Sequence, residues 1–279
     1  MMNTVNNAPK RVITIHSLAG FGRSSTAVIL PVLSVLGTQC CPVPTAVLST
    51  HTGGLGKPAV TSLSHQLPLT REHYQQLSAE FDALYTGYLG GDEQVQSCID
   101  YCAAFPHAFK LVDPVMGDNG RAYSGIGDEL IAKIGALCQK ADVITPNATE
   151  AALLLGEDLN DLTFDDARAA DWGKRLCAIC SKAVLTGAQF SDGKYNLIFE
   201  NGCMQKHKID YIQAGYPGTG DLFAATMLGY ILQGRTLDTA VQLAADFVHD
   251  CISYTVSCGT DSRFGVNFEP MLGKLLEEK

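Results

Sequence analysis

The sequence predicts an α/β fold with a mostly parallel sheet, helices on both faces and an antiparallel hairpin at one edge. Three observations indicate this. Short β-rich runs alternate with helical stretches, the strands lack strict polar–apolar alternation, and Asn201-Gly202 separates the last two strands. Alternating strands and helices pair in parallel, strands covered on both faces are apolar throughout, and Asn-Gly is a strong hairpin turn. A hydrophobic content of 46% in 279 residues is enough for the core of one large domain.

The first half of the chain is predicted to hold five strands with helices between them. The predicted strands are 11–15, 43–48, 83–86, 110–113 and 142–145, and the predicted helices are 24–36, 71–80, 92–104 and 129–139. Gly37 ends the first helix, Asp92 suits an N-cap, and Pro114 and Pro146 stop two of the strands. A loop rich in Gly, His and Thr, 49–58, follows the second strand.

The second half is predicted to hold fewer strands and longer helices. Its predicted helices are 148–155, 163–180, 221–233 and 237–257, and its strands are 182–186, 195–200 and 204–211. In folds of this kind, ligands bind at the carboxyl ends of the parallel strands. The polar residues that follow the strands are therefore the candidates for a functional site.

Charge and hydropathy exclude several classes of function. The chain carries 20 Lys and Arg against 29 Asp and Glu, a net charge of -9. This argues against nucleic acid or an anionic membrane as the main partner, because both are bound through clustered positive charge. The longest apolar run, 27–36, is too short to cross a bilayer. Residues 1–10 are polar, without an apolar signal core, and are expected to form a flexible tail on a cytoplasmic protein.

A glycine-rich turn precedes the first of the two closing helices. Gly218, Thr219 and Gly220 allow a tight turn whose backbone N–H groups can point at one spot, where the helix dipole favours an anion. Asp221 lies in the first turn of the helix and could accept a proton there. An anion hole beside a carboxylate is what phosphoryl transfer to a hydroxyl needs. The alternative is an ordinary helix start whose acid complements the dipole.

Two other strand ends carry acidic residues. Asn147 and Glu150 have the spacing of a capping box, and both could also hold water on Mg²⁺. Asp113 ends a strand and either orders water and a cation near phosphate or caps its turn. Asp118, in the loop that follows, is a second candidate for approaching the metal.

Taken together, these segments resemble the ribokinase superfamily and, within it, the vitamin B6 kinases. The resemblance rests on GTGD (218–221), PNxxE (146–150), DPVMGD (113–118), IHSLAGFG (15–22), STHTG (49–53) and TGYLG (86–90). It implies a ribokinase-like three-layer α/β/α domain over 11–279. It also implies ATP-dependent phosphorylation of the 5'-hydroxymethyl group of pyridoxal, pyridoxine or pyridoxamine. Mg²⁺ as cofactor, a monovalent cation such as K⁺, and a homodimer belong to the same expectation.

The resemblance also implies a role for each matching residue. Asp221 would be the base, and Gly218, Thr219 and Gly220 the anion hole. Asp113, Asp118 and Glu150 would surround Mg²⁺ and the phosphates, mainly through water. The remaining expected nucleotide-binding residues are Asn147, Thr186 and Gly187, and the expected vitamin-binding residues are Ser17, His51, Thr52 and Tyr88.

The chain departs from the family at two places, and two alternatives stay open. Loop 49–58 has His51 preceded by Thr50, where the family usually carries Asn, and Thr186 lies where several relatives carry Lys. His51 either meets the ligand or bonds the loop backbone. One alternative function is a hydroxymethylpyrimidine kinase of thiamine synthesis. The other is a pyridoxal-binding protein without transferase activity.

Overall fold

The computed structural model describes residues 8–277, which form eleven strands, eight α-helices and two 3₁₀ helices. The strands are β1 Lys10–Phe21, β2 Thr38–Thr50, β3 Val60–Ser62, β4 Ala83–Thr86, β5 Phe109–Val112, β6 Gly117–Asp118, β7 Arg121–Ala122, β8 Val143–Ile144, β9 Lys182–Phe190, β10 Gly193–Glu200 and β11 Cys203–Ile209. The α-helices are α1 Thr26–Val35, α2 Gln66–Gln76, α3 Asp92–Ala104, α4 Asp128–Cys138, α5 Ala148–Leu155, α6 Asp166–Ile179, α7 Thr219–Leu232 and α8 Leu237–Cys258.

One nine-stranded sheet runs through the molecule in the order β11-β10-β9-β8-β5-β4-β1-β2-β3. The six strands from β9 to β2 are parallel to their neighbours. The hairpin β10–β11 is antiparallel at one edge, and the short β3 is antiparallel at the other. The predicted parallel sheet with its antiparallel edge hairpin is confirmed, and β3 is an addition. The strands β6 and β7 form a separate small hairpin.

Helices cover both faces of this sheet, which makes the predicted three layers. Successive residues of each central strand enter opposite cores, because side chains alternate across a sheet. Ile13 and Leu84 pack in the core under α2 to α6, whereas Val12 and Tyr85 pack in the core under α1, α7 and α8. Both sides of a strand therefore need apolar residues, which explains why the sequence shows no polar–apolar alternation.

The first two strands are longer than predicted. β1 and β2 continue past the core as a paired ribbon, with a bulge in β2 opposite Ser17. Gly20, five residues beyond the predicted end of the first strand, lies inside β1. A Cβ there would lie 3.2 Å from the carbonyl oxygen of Ser49, so glycine allows the two backbones to approach. The fully exposed β3, which pairs with this ribbon, carries no hydrophobic pattern that the sequence analysis could detect.

The predicted starts of α2 and α6 were wrong by several residues, and α2 also ends at Gln76 rather than residue 80. Helix α2 begins at Gln66 rather than residue 71, since Leu67 is fully buried and Pro68 is tolerated in a first helical turn. Helix α6 begins at Asp166 rather than residue 163, because the Asp165 side chain caps it by accepting the N–H of Arg168.

Among residues 8–277, no helix is both long and apolar enough to span a bilayer. Of the expected tail over 1–10, residues 1–7 lie outside the described residues, and Lys10 already begins β1.

Candidate active site

The carboxyl ends of the parallel strands meet the first turn of α7. Gly218 is the N-cap of that helix, with φ +82°, in the left-handed region that favours glycine. A Cβ at position 218 would lie 2.2 Å from the carbonyl oxygen of Arg23. The Thr219 hydroxyl donates to the carbonyl oxygen of Tyr216 at 3.2 Å, which closes the turn.

Replacing Gly218 by alanine is therefore expected to destabilise the protein. The added methyl group meets both an unfavourable φ and the Arg23 backbone, so a loss of about 1–3 kcal/mol or more is expected. Thermal melting of Gly218→Ala measures this loss of stability, and Gly202→Ala is the control variant. Gly202 also has positive φ, but nothing lies within 4 Å of its Cβ position. Equal losses in the two variants would contradict the role assigned to the Arg23 contact.

The turn leaves a group of backbone donors available. Within residues 8–277, no protein acceptor bonds the N–H groups of Thr219, Gly220 or Asp221. The first helical bond in α7 is donated by Leu222 to the carbonyl oxygen of Gly218 at 2.9 Å. The first N–H groups of a helix carry positive potential. The start of α7 can therefore bind an anion.

Asp221 lies beside these donors and is held from two sides. Its Oδ1 is 3.0 Å from the Nε2 of His16, and its Oδ2 accepts the backbone N–H of Ser25 at 2.6 Å. The side chain is only 13% exposed. Ser25 has φ +58°, an uncommon conformation that lets its N–H face the carboxylate. The carboxylate thus has a defined orientation in a mostly buried site.

Two further buried carboxyl groups lie at the neighbouring strand ends. Asp113 follows β5, and its pKa is raised to about 8 by burial and then by the charge of Asp221. Glu150 is in the first turn of α5, and its pKa is raised well above its usual range by burial and then by the charge of Asp113. Oδ2 of Asp113 lies 4.0 Å from the Cβ position of Gly220, so this acid adjoins the glycine turn.

This charge distribution fits a cation. Carboxylates that repel one another in a buried site are stabilised by a positive ion between them, and oxygen donors suit Mg²⁺. The hydroxyl of Thr86, at the end of β4, is buried without a hydrogen-bond partner among the described residues. In residues 8–277, no three His, Cys, Asp or Glu side chains converge as a direct metal site. Asp113 and Glu150 would therefore hold a cation with the help of water or phosphate oxygens.

The raised pKa of Asp113 predicts a pH dependence of stability in the ligand-free protein. Its carboxyl group has a pKa of 3.8 when unfolded and about 8 when folded, so between these values only the folded chain binds the proton. This contribution to the free energy of unfolding falls with rising pH, by up to about 1.4 kcal/mol per pH unit. Asp113→Asn is expected to be more stable than the parent at pH 8, with the difference shrinking towards pH 4. Melting curves that differ equally at both pH values would contradict this.

The predicted capping box is confirmed. The Asn147 side chain accepts the N–H of Glu150 at 3.0 Å, and Oε2 of Glu150 accepts the N–H of Asn147 at 2.8 Å. Oε1 of Glu150 accepts the N–H of Met116 at 3.2 Å, and Asn147 donates its amide to the carbonyl oxygen of Gly117 at 2.9 Å. These bonds fix α5 against the segment that follows Asp113. Roles for both residues towards nucleotide remain predictions.

Three other predicted nucleotide and metal residues lie on β6 and β9. Asp118 is exposed on β6, where its carboxylate accepts the backbone and side-chain N–H groups of Asn119. The N–H of Thr186 donates to the carbonyl oxygen of Pro146 at 2.9 Å, which joins two strand ends. Gly187 has φ +67° and donates its N–H to the Asn196 side chain at 3.2 Å. It lies inside β9, which continues beyond its predicted end at residue 186.

The predicted vitamin-binding residues come from β1, from the loop after β2 and from the segment after β4. The Ser17 hydroxyl donates to that of Ser25 at 3.0 Å, and Tyr88 is half-buried after β4. Thr52 is exposed in the loop after β2. His51 is buried; its Nδ1 accepts the N–H of Gly53 at 2.9 Å, and its Nε2 lies 2.7 Å from the carbonyl oxygen of Arg263. His51 therefore fixes its own loop through Gly53 and ties it to the backbone of Arg263.

The same loop adjoins the glycine turn. A Cβ at Gly53 would lie 3.2 Å from Cγ of Pro217, immediately before Gly218. The loop after β2 and the start of α7 thus form neighbouring walls, with Thr52 on the loop.

Sequence reasoning missed three residues of this site. His16 had no assigned role within the segment 15–22, Ser25 lay in the predicted helix 24–36, and Tyr85 lay in the predicted strand 83–86. The Tyr85 hydroxyl is buried without a partner among the described residues. Burial and the charges of Asp113 and Asp221 raise its pKa well above its usual value. No local pattern marks these residues, because only the pairing of β1 with β4 and the packing of α7 bring them to Asp221.

Comparison with known proteins extends these observations. The chain matches the phosphomethylpyrimidine kinase family over residues 30–266. A Bacteroides thetaiotaomicron protein described as a phosphomethylpyrimidine kinase and crystallised with pyridoxal is 34% identical, with TM-score 0.91 and 96% of each chain covered. Pyridoxal kinase from Lactobacillus plantarum is 31% identical, with TM-score 0.91, over 96% of this chain and 97% of that one. A pyridoxine/pyridoxal/pyridoxamine kinase of Bordetella avium is 28% identical, over 88% of this chain and 85% of the relative.

Proposed function

The chain belongs to the phosphomethylpyrimidine kinase family, and from that premise we propose that it phosphorylates vitamin B6. The reaction transfers the γ-phosphoryl group of ATP to the 5'-hydroxymethyl group of pyridoxal, pyridoxine or pyridoxamine. The family membership and the pyridoxal kinases among its relatives agree with the resemblance to B6 kinases of the ribokinase superfamily. The protein is thus a kinase of the phosphotransferase class that uses an alcohol as acceptor.

The observation that carries the proposal is that a restrained carboxylate lies beside helix-start amides that have no protein acceptor among the described residues. Asp221 accepts the proton of the substrate hydroxyl as its oxygen attacks the γ-phosphorus. The P–O bond to the attacking oxygen forms while the bond from the γ-phosphorus to the β–γ bridging oxygen breaks, and ADP leaves. The N–H groups of Thr219, Gly220 and Asp221 stabilise the charge on the moving phosphoryl group. A pure binding protein has no need of such a base.

A divalent cation would be held near Asp113 and Glu150, and we propose Mg²⁺. When bound, it neutralises phosphate charge and orients the nucleotide. Asp113 is the nearer of the two acids to the glycine turn, as its distance of 4.0 Å to the Gly220 Cβ position indicates. Asp118 would act through water from its exposed position on β6. A monovalent cation such as K⁺ is proposed for the same acidic region.

The vitamin is proposed to bind between the ribbon and the glycine turn. Ser17 would contact the polar edge of the ring, Tyr88 would stack on it, and Thr52 would line the pocket. His51 would act mainly by holding its loop, since backbone groups occupy both of its nitrogens. Thr186, Gly187 and Asn147 are proposed to contact the nucleotide from the adjoining strand ends.

A substrate panel tests the proposal against its alternatives. The purified protein is supplied with saturating Mg-ATP and pyridoxal, pyridoxine, pyridoxamine or hydroxymethylpyrimidine, and ADP release is measured. ADP formed with the B6 vitamins supports the proposal. Turnover of the pyrimidine alcohol alone would favour the thiamine-pathway kinase, to which the family description also points. Absorbance changes of bound pyridoxal without ADP would indicate a binding protein.

Three broader expectations stand as proposals. A single kinase domain over residues 11–279 is supported by the continuous nine-stranded sheet in the described residues. A homodimer is supported by the exposed apolar side chains Leu18, Val47 and Val60 on the β1–β2–β3 ribbon. A cytoplasmic location agrees with a reaction that consumes ATP.

A further inference from the structure

We infer that His16 is the positioning residue of Asp221, an inference that rests on the proposed function. The Nε2 of His16 lies 3.0 Å from Oδ1 of Asp221, and the His16 side chain is only 2% exposed. The two residues are far apart in the chain, and the pair joins the middle of β1 to the start of α7. Such a pair can hold the base at the angle from which it meets the substrate hydroxyl.

The contact made by the second ring nitrogen of His16, Nδ1, shows which nitrogen carries the proton. The backbone N–H of Ser17 donates to Nδ1 of His16 at 3.0 Å, so Nδ1 carries a lone pair and the neutral ring has its proton on Nε2. That proton points to Asp221. The N–H of Tyr88 also approaches Nε2, at 3.4 Å, but this longer contact competes weakly with the two at 3.0 Å. His16 is therefore a donor to the carboxylate.

The surroundings keep the imidazole in this orientation. A Cβ at Gly87 would lie 1.9 Å from Nε2 of His16, so only glycine at that position leaves room for the ring. Tyr85 packs edge-on against the ring, with 6.3 Å between centroids and 76° between planes. Packing from β4 and the bond from Ser17 together leave the ring little freedom to turn.

His16 and Ser25 each bind a different oxygen of the Asp221 carboxylate. Ser25 donates its N–H to Oδ2 at 2.6 Å, and His16 donates to Oδ1. Each carboxylate oxygen keeps a second lone pair, which is free for the substrate hydroxyl. Two donors on different oxygens fix the rotation of the carboxylate, whereas one donor would let it turn. A small displacement of a catalytic base lowers the rate of the chemical step. His16 is therefore expected to affect turnover and not vitamin binding.

Two amide variants separate this role from packing. In His16→Gln the side-chain N–H can reach the position of Nε2, whereas the amide of His16→Asn ends short of it. His16→Asn is expected to lower kcat roughly 10- to 100-fold, the scale of one hydrogen bond to a charged group, with KM for pyridoxal within about twofold. His16→Gln is expected to recover most of that loss. Equal losses in both variants, or a rise in KM alone, would overturn the inference.

A double-mutant cycle tests whether His16 acts through Asp221. In the Asp221→Ala background, His16→Asn should change the residual kcat by less than about twofold, since the group it positions is gone. If the fold-losses in kcat of the two single variants multiply in full in the double variant, His16 affects turnover by a route other than Asp221. His207→Asn is the matched control. It removes another His–Asp pair, with Nε2 of His207 2.7 Å from Oδ1 of Asp238, between β11 and α8, and should leave kcat unchanged.

The outcomes distinguish this inference from the proposed function. If Asp221→Ala is strongly impaired but His16→Asn turns over at the parental rate, only the positioning role fails. If Asp221→Ala itself keeps the parental rate, the proposed function fails first. Melting temperatures measured for each variant show whether a lost rate reflects lost folding.

Discussion

Replacing Asp221 by alanine is expected to lower kcat by roughly 100- to 10,000-fold, the usual contribution of a general base. The carboxylate is 13% exposed, is held by His16 and Ser25, and lies beside amides that have no protein acceptor in the described chain. Among the described residues, Asp113 is a neighbouring acid, and it adjoins the turn from just after β5. Steady-state kinetics with pyridoxal and saturating Mg-ATP measures the effect.

A matched control separates catalysis from helix capping. Asp128 lies in the first turn of α4, where it complements the helix dipole as Asp221 could in α7. Asp128→Ala should leave kcat unchanged and cost at most about 1 kcal/mol of stability. If Asp221→Ala behaves like Asp128→Ala, Asp221 is an ordinary helix-start acid and has no part in the reaction.

Replacing Gly220 by valine is expected to reduce turnover at least roughly 100- to 1,000-fold, the cost of losing an anion-hole donor. The Cβ position of Gly220 lies 4.0 Å from Oδ2 of Asp113, which is ordinary contact, so the fold should tolerate a side chain. The branched side chain would instead fill the space where phosphate must approach the amides. Pyridoxal should still bind, because its proposed pocket uses other residues.

Two measurements check this result. Pyridoxal binding by absorbance or fluorescence should be within a few-fold of the parent, and the melting temperature should be nearly unchanged. Gly127→Val is the control, since Gly127 is the N-cap of α4 with open space around its Cβ position. Near-parental turnover in Gly220→Val would show that phosphate does not approach the backbone there.

The glycine turn and the acid beside it were predictable because they are local in sequence. A glycine turn, a helix start and an acid in its first turn lie within four residues, 218–221. The capping box of Asn147 and Glu150 is equally local, and the structure contains both of its bonds. Local hydrogen bonding and backbone conformation decide such features, so spacing alone carries the information.

Features that depend on pairing between distant segments were missed or misplaced. The ribbon made by the ends of β1 and β2 exists because the two strands pair beyond the core, and β3 exists only as their neighbour. The strand β9 continues through Gly187, because β10 pairs with it on the far side. Glycine in a sequence is ambiguous between a turn and a close backbone approach, and only the partner strand decides which applies.

The amino-acid sequence by itself determined the alternation of strands and helices, the apolar faces that bury both sides of the sheet, and the glycine–acid turn at 218–221. Only the tertiary structure decided which groups surround that acid. His16 and Ser25 reach Asp221 from β1 and the turn before α1, about 200 positions away along the chain. Their contribution depends on distances of 3.0 and 2.6 Å, which sheet order and helix packing set and which no periodicity in the sequence records.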